Sequence, residues 1–395
     1  MRILILATDY PGFLTQFYAR NPGLDARSFA EQSRVLDDAL FNVSEFYVEN
    51  LRLLGHEAVC LHPNNVFLQG AWAREHGLDT PRLVGSGSDT ESNGSAWLKR
   101  RLRPYKALLA PIANHLGLLR KLGRVEREIL LAQVEAFRPD VVHNQDLQGI
   151  DSAIMRIIRK PGRMITGQIG VDPPTHIDFK LYDLIVSQIP WVVRYFRDIG
   201  VPSERHFLGF ERSLVERLGP QPDKDIALSF VGSLTAAHTD RVKFLEALAE
   251  RFPIELWVPG LAGIPARSPL HACRKHAVYG REMYNVLRRS KITLNSHIDV
   301  ARGSATNLRL FEATGVNTFL LTDDLKDLPE LFAPGKELAV YASIDHCQRQ
   351  LEYFLSHEQE REEIARNGHV RTLRDHNFRI RAEHLVALFA KWSPS

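Results

Sequence analysis

The feature that most constrains the fold is a repeated alternation of short apolar strands with helices. A first series of apolar runs lies at Arg2–Ala7, Ala58–Leu61, Asp140–His143, Met164–Ile169 and Leu184–Ser187. A second series lies at Ile226–Val231, Ile254–Val258, Ala277–Tyr279, Ile292–Asn295, Thr318–Leu321 and Leu338–Tyr341. Buried strands that alternate with helices are typical of parallel sheets covered on both faces. The pattern predicts an α/β protein with two Rossmann-like, doubly wound domains that face a cleft.

Chain length and one break in the pattern give the domain boundaries. The chain has 395 residues, and a single hydrophobic core usually stops growing at roughly 250–300 residues. The segment Gly219–Pro222 separates the two series and is the predicted linker. We therefore expect an N-terminal domain at 1–219 and a C-terminal domain at 220–375.

Two segments depart from the alternation. From about residue 64 to residue 124 the pattern loosens, and the basic stretch Lys99–Lys121 is amphipathic, which predicts a helical insertion. Residues 376–395 form a predicted terminal helix with apolar side chains that need a partner surface. We expect this helix to pack back towards the N-terminal domain.

Composition excludes several classes of protein. The formal net charge of +3 is close to neutral, which argues against a nucleic-acid-binding surface. No stretch approaches the roughly 20 apolar residues of a membrane span, although peripheral contact of the basic stretch with anionic lipid stays open as a minor alternative. Cys60, Cys273 and Cys347 lack a metal-binding spacing and indicate a cytoplasmic protein with reduced thiols.

The segment Asn307–Gly315 carries the most specific functional pattern. A polar loop leads into a short helix, which holds one carboxylate, ends at a glycine and continues into an apolar strand. The N–H groups at a helix N-terminus suit a phosphate, so Ser304, Thr306 and Asn307 are candidate phosphate contacts or simply helix caps. Glu312 lies more than one turn further and is expected to accept hydrogen bonds from sugar hydroxyls, the alternative being a surface glutamate.

A phosphate contact and a sugar contact together suggest a nucleoside-diphosphate site, and other strand ends supply further candidates for it. Gly232 and Ser233 follow a strand, and His238 and Arg241 lie at the mouth of the next helix, where a guanidinium can pair with a diphosphate. An ordinary strand-to-helix turn explains the four residues equally well.

Two more strand ends are candidates of the same kind. The backbone at Tyr279 and Gly280 is expected to face a nucleobase. His297 ends a strand as either a cleft or a structural histidine.

Two carboxylates in the first half are candidates for a general base. Asp9 follows the first strand and Asp146 follows the strand that ends at His143, so both are expected at the carboxyl edge of the first sheet. A turn-forming aspartate is the alternative for each. No Asp-x-Asp pair is placed to hold a divalent ion, so we expect neither a metal nor a cofactor.

Several of these motifs together resemble a known family. The stretches Ser229–Ser233, Tyr284–Asn295, Asn307–Gly315, Leu331–Glu337 and Pro139–His143 are similar to the nucleotide-sugar glycosyltransferases of GT-B architecture, of the family 1 and family 4 type. More closely, the chain resembles the spore-maturation-protein (CgeB-like) group. The resemblance implies that Glu312 holds the ribose of the donor and that the helix mouth at Ser304–Asn307 receives the diphosphate.

The chain departs from this family pattern at three positions. Ser304 stands where many relatives carry a second glutamate, and Gln145 stands where a histidine is common. Ser233 lies near the usual place of a basic residue, which Arg241 or His238 is expected to replace.

The resemblance implies a cytoplasmic, metal-independent hexosyltransferase of polysaccharide or glycoconjugate biosynthesis. The C-terminal domain would bind a nucleoside-diphosphate sugar as the donor, and the N-terminal domain would bind a glycan, protein or small-molecule hydroxyl as the acceptor. A nucleotide-sugar 2-epimerase of the same architecture and a non-catalytic sugar-binding surface protein stay open as alternatives.

Overall fold

The predicted α/β fold class is confirmed. The computed structural model describes residues 1–78, 122–234, 239–297 and 301–393. They form two six-stranded sheets in which every strand pairing is parallel, with helices between the strands. Most of the predicted helical insertion, from residue 79 to residue 121, lies outside the described residues.

The first sheet is built from the N-terminal half of the chain. Its strands are β1 (Arg2–Leu6), β2 (Glu57–Leu61), β3 (Val141–Asn144), β4 (Met164–Gln168), β5 (Leu184–Ser187) and β6 (Ser203–Arg205). Its helices are α1 (Pro11–Arg20), α2 (Phe29–Asp38), α3 (Val43–Leu53), α4 (Val66–Glu75), α5 (Arg124–Phe137), α6 (Ser152–Ile158), α7 (Pro190–Asp198) and α8 (Leu214–Arg217). The strand order is β2-β1-β3-β4-β5-β6.

The second sheet follows in the C-terminal half. Its strands are β7 (Ile226–Val231), β8 (Ile254–Trp257), β9 (Arg274–Lys275), β10 (Ser290–Leu294), β11 (Phe319–Asp323) and β12 (Ala339–Tyr341). Its helices are α9 (Thr239–Ala249), α10 (Leu270–Cys273), α11 (Gly280–Arg289), α12 (Arg309–Gly315), α13 (Ile344–Ser356), α14 (Glu358–Asp375) and α15 (Phe378–Trp392). The strand order is β12-β11-β10-β7-β8-β9. Among the described helices, none is long and apolar enough to cross a membrane.

The strand orders place one reversal point in each sheet. In the second sheet β7 lies between β8 and β10, so the order of winding reverses between β7 and β10. In the first sheet the reversal falls between β1 and β3. Open α/β sheets bind ligands in the crevice outside the carboxyl ends of the strands at such a point. The topology therefore favours a ligand site at the loops after β7 and β10.

The strand predicted at Ala277–Tyr279 is wrong. The third strand of the second sheet is β9, and Tyr279 instead precedes α11. The Tyr279 ring packs on Phe13 and Phe41 of the N-terminal half, with ring centroids 6.0 and 5.3 Å apart. The short apolar run therefore buries its tyrosine against the other half of the chain and does not pair with a strand.

The last helix, α15, lies against α3 of the N-terminal half. The ring of Phe378 contacts Tyr47 and Phe46, with centroids 5.0 and 5.5 Å apart. Leu385 and Phe389 are buried in the core that the two helices share.

A glycine at the contact between the two halves gives a stability test. Gly280 has a φ of 53°, and a Cβ there would collide with the carbonyl oxygen of Ala39. Gly335 has a φ of 77° with open space around it. Gly335→Ala should lower the free energy of unfolding by about 1–2 kcal/mol through backbone strain. Gly280→Ala should cost about 1–3 kcal/mol more through the added overlap, measured by urea denaturation. Equal losses in the two variants would contradict a tight contact at Ala39.

Candidate functional site

The loops after β7 and β10 meet at the reversal point of the second sheet. Gly232 and Ser233 follow β7, and Asn295, Ser296 and His297 follow β10. A side chain from the helix after β7 connects the two sides. Arg241 of α9 donates a hydrogen bond from Nη2 to the carbonyl oxygen of Ser296, at 2.7 Å. The predicted residues Gly232, Ser233, Arg241 and His297 therefore lie around one crevice.

His297 is held by a carboxylate at the end of the next strand. Its Nδ1 lies 2.7 Å from Oδ1 of Asp323, and its backbone N–H donates to Oδ2 at 3.1 Å. Burial opposes ionisation of Asp323, but the hydrogen bonds and charge of His297 outweigh it and lower the pKa of the carboxyl. The Nε2 atom of His297 has no hydrogen-bond partner among the described residues. Asp323 thus fixes the ring and leaves one nitrogen for another contact.

A cavity of about 490 Å³ opens beside this pair. Its lining includes Arg241, His297, Asp323, Asp240, Phe244 and Tyr341. The hydroxyl of Tyr341 donates to the carbonyl oxygen of Asn295 at 2.8 Å, which holds the loop that carries His297. The cavity combines a guanidinium, an imidazole and carboxylates with aromatic walls, a mixture that suits a polar ligand with one flat group.

Glu312 is a buried residue, so the alternative of a surface glutamate is wrong. Only 6% of it is exposed, and its Oε2 lies 2.8 Å from Nη1 of Arg309. Arg309 also donates from Nη2 to the carbonyl oxygen of Val231, the last residue of β7, at 3.2 Å. Burial raises the pKa of Glu312, and the charge of Arg309 opposes that rise. Glu312 is thereby fixed near the β7 end of the crevice, although it does not line the cavity.

The segment before α12 differs from the predicted helix mouth. The helix begins at Arg309, two residues later than expected, and Ser304 donates its N–H to Ala301 at 3.0 Å. The neighbouring N–H of Ala305 donates to Oδ1 of Asp327 at 2.6 Å. These two N–H groups are therefore not open to a phosphate, because the loop closes on itself and on Asp327.

Two other residues of this segment support the neighbouring loop. The amide nitrogen of the Asn307 side chain donates to Oδ1 of Asn295 at 2.7 Å, and Thr306 is buried. Asn307 therefore joins the α12 region to the loop that carries His297.

The remaining predicted residues of the C-terminal half do not lie at this crevice among the described residues. Tyr279 and Gly280 lie at the contact with Phe13 and Ala39, and the expected contact of their backbone with a nucleobase stays a prediction. His238 lies outside the described residues.

The two candidate bases are engaged inside the first half of the chain. Oδ2 of Asp146 accepts from Thr8 at 2.5 Å, and Oδ1 accepts from the N–H groups of Gln148 and Gly149. This is the geometry of a turn-forming aspartate. Asp9 is buried, and its Oδ1 lies 3.2 Å from Nδ1 of His62.

Two residues, one in the crevice and one beside it, were not among the predicted site residues. Arg309 precedes Glu312 by three positions, a helical spacing at which opposite charges pair. Asp323 follows the predicted strand Thr318–Leu321 by two residues, so its position near the carboxyl edge of the sheet was the available signal.

Comparison with solved structures identifies the architecture. A glycosyltransferase from Rickettsia africae aligns over 99% of this chain and 98% of its own, with a TM-score of 0.56 and 9% sequence identity. Anabaena HepE in complex with UDP-glucose aligns over 99% and 100%, with a TM-score of 0.55 and 10% identity. Sucrose-phosphate synthase from Thermosynechococcus elongatus aligns over 99% of each chain, with a TM-score of 0.51 and 10% identity. The chain has the GT-B fold.

The match to a sequence family covers a shorter part of the chain than the structural alignments do. Residues 241–387 match the family model described as "Glycosyl transferase-like". This segment contains Arg241, His297, Arg309, Glu312 and Asp323, so the matched part of the GT-B chain holds most of the crevice. No curated protein matches the chain by sequence.

The raised pKa of Glu312 predicts a pH-dependent difference in stability. The folded protein holds this proton more tightly than the unfolded chain, whose usual value is 4.5, so the stabilisation is complete below that pH and is lost as pH rises through the folded pKa. Glu312→Gln cannot ionise. Its free energy of unfolding relative to the unsubstituted protein should therefore rise between pH 4.5 and neutrality in urea denaturation. Glu363→Gln, at an exposed position of α14, is the matched control. A difference for Glu312→Gln that stays flat with pH would refute the buried carboxyl.

Proposed function

We propose that the protein is a glycosyltransferase that moves a sugar from a nucleoside-diphosphate sugar to a hydroxyl acceptor. The GT-B fold and the glycosyl transferase-like match over residues 241–387 support this class. The observation that carries the proposal is the buried Glu312–Arg309 pair at the end of β7, beside a crevice that holds Arg241 and His297. This crevice lies at the reversal point of a sheet whose order matches that of dinucleotide-binding folds.

In this proposal the ribose binds at Glu312. One oxygen of the carboxylate is paired with Arg309. We assign the other oxygen to hydrogen bonds from the ribose hydroxyls. The ion pair and the bond from Arg309 to Val231 hold the carboxylate before any ligand arrives. A carboxylate that is already oriented loses little conformational entropy when the ribose binds.

The diphosphate is assigned to the turn after β7 and to Arg241. Gly232 and Ser233 present backbone at the carboxyl end of β7, and α9 follows a few residues later. The guanidinium of Arg241 lies 6.0 Å from the centroid of the Phe230 ring and is bonded to Ser296. A fixed guanidinium can stabilise the charge that develops on the departing diphosphate.

The acceptor is assigned to the carboxyl edge of the first sheet. The contacts between the halves include Arg302, which stacks 3.8 Å from the ring centroid of Trp191, and Arg205, which pairs with Asp327 at 2.8 Å. Asp9 or Asp146 would have to leave its present partner to act as a base. We therefore assign most of the rate enhancement to stabilisation of the leaving group.

A nucleotide-binding measurement tests the donor site. HepE has been solved with UDP-glucose, so UDP is the first probe. At a UDP concentration of about 100 times the dissociation constant, the protein should gain about 2.7 kcal/mol of stability, seen as a higher melting temperature. Glu312→Ala should lose most of this gain because the ribose loses its acceptor.

The matched control is Glu363→Ala, whose side chain is exposed on α14 of the same domain. This variant should keep the full stabilisation by UDP. The unliganded melting temperature of each variant gives its baseline. Stabilisation of Glu312→Ala equal to that of the control would remove Glu312 from the ribose role.

A second candidate is a non-catalytic nucleotide-sugar-binding protein. The observation that favours it is that Asp9 and Asp146 are both engaged within the N-terminal half. The two candidates give different products from the same donor.

A turnover assay with a panel of nucleoside-diphosphate sugars separates the classes. We expect slow release of nucleoside diphosphate with the free, unrearranged sugar when water is the acceptor. The rate should be the same with and without added Mg²⁺, since we propose that donor binding needs no divalent ion. Binding without any release would favour the non-catalytic protein, and a rearranged sugar would favour a 2-epimerase.

A further inference from the structure

A second cluster of polar side chains lies at the carboxyl ends of β1 and β2. Cys60 and His62 lie at the end of β2, and Glu45 lies in the first turn of α3. The thiol, one imidazole nitrogen and one carboxylate oxygen lie within 4.8 Å of one another. Among the residues that the structure describes, this is the one group of three such ligands at that spacing.

His62 is oriented by two carboxylates. Its Nε2 lies 3.0 Å from Oε1 of Glu45, and its Nδ1 lies 3.2 Å from Oδ1 of Asp9. The side chains of His62 and Asp9 are 2% and 0% exposed. The Asp9 carboxylate has no hydrogen bond of good geometry, while its backbone exchanges two bonds with the side chain of Asn64, at 2.9 and 2.8 Å. Asp9 is thus fixed by its backbone and directed at one nitrogen of His62.

We propose that Glu45, Cys60 and His62 bind one divalent transition-metal ion of the Zn²⁺ type. Thiolate, imidazole and carboxylate are the donors that Zn²⁺ takes in proteins, whereas Mg²⁺ and Ca²⁺ take oxygen. Three protein ligands leave one position of a tetrahedral ion for water. Asp9 supplies the carboxylate that a metal-binding histidine commonly contacts through its other nitrogen.

A protonated His62 bridging Asp9 and Glu45 is the competing arrangement. The two arrangements carry the same charge, because binding of the ion releases one proton from the imidazole and one from the thiol. They differ in what Cys60 does. A thiol takes no part in an ion bridge between histidine and carboxylates, whereas it is a ligand in the metal arrangement. Sγ of Cys60 makes a long contact of 3.9 Å with the carbonyl oxygen of Leu61 and lies within 4.8 Å of the ligand atoms of Glu45 and His62, a spacing that favours the metal.

The site would join three elements of the N-terminal half. The ligands come from β2 and α3, and Asp9 comes from the loop after β1. A bound ion would cross-link the edge that we assign to the acceptor without touching the crevice around Glu312. The inference therefore stands or falls independently of donor binding.

Cobalt spectroscopy on the full chain tests this site. Protein stripped with a chelator and titrated with Co²⁺ should bind one equivalent and show a thiolate-to-cobalt charge-transfer band. The chain has three cysteines, so the double variant Cys273→Ser, Cys347→Ser keeps Cys60 alone and should retain the band. Cys60→Ser should lose it. Absence of the band in the unsubstituted protein or in the double variant, or its survival in Cys60→Ser, would overturn the proposal.

The role of Asp9 has its own readout. Asp9→Asn should weaken Co²⁺ binding about 10–100-fold while the charge-transfer band and the stoichiometry remain, since Asp9 orients a ligand and is not one. Circular dichroism before titration shows whether each variant is folded. An unchanged Co²⁺ affinity in a folded Asp9→Asn variant would remove Asp9 from the site.

Discussion

The buried ion pair between Glu312 and Arg309 is the interaction on which the proposed donor site depends. Burying a carboxylate is costly unless a cation lies within bonding distance, and removal of one partner of such a pair typically costs about 3–5 kcal/mol. Arg309 meets that requirement at 2.8 Å and also bonds the last carbonyl of β7. The pair therefore fixes α12 relative to β7. A carboxylate held this way is oriented for a ligand at the cost of part of the stability of the domain.

The same loop connects the two halves of the molecule. Asp327 accepts the N–H of Ala305 at 2.6 Å through one oxygen and pairs with Arg205 at 2.8 Å through the other. The segment before α12 is thus held to the end of β6 in the N-terminal half. Gly280 provides a second point of contact, because only glycine lets the start of α11 approach the Ala39 carbonyl. Relative movement of the halves would have to break contacts of this kind.

Local patterns in the sequence predicted the class of fold and singled out Glu312, which the structure shows to be buried. Alternating apolar strands and helices predict doubly wound sheets, and Glu312 stood out because it lies between a polar loop and a glycine. The tyrosine at 279 was misassigned because three residues cannot distinguish a strand from an aromatic contact made by another part of the chain. The engagement of Asp146 by Thr8 also depends on the pairing of β1 with β3, which local patterns do not encode.

Near the reversal point of each sheet, a histidine faces an aspartate through Nδ1. The two pairs differ in the surroundings of the other ring nitrogen, Nε2. Asp9 orients His62 and Asp323 orients His297, at 3.2 and 2.7 Å. The Nε2 of His62 faces Glu45 within the protein, so that ring can serve only an internal partner. The Nε2 of His297 has no partner in the described chain, and His297 lines the large cavity. The first pair therefore suits an ion held inside the protein, and the second leaves a buried nitrogen beside the cavity.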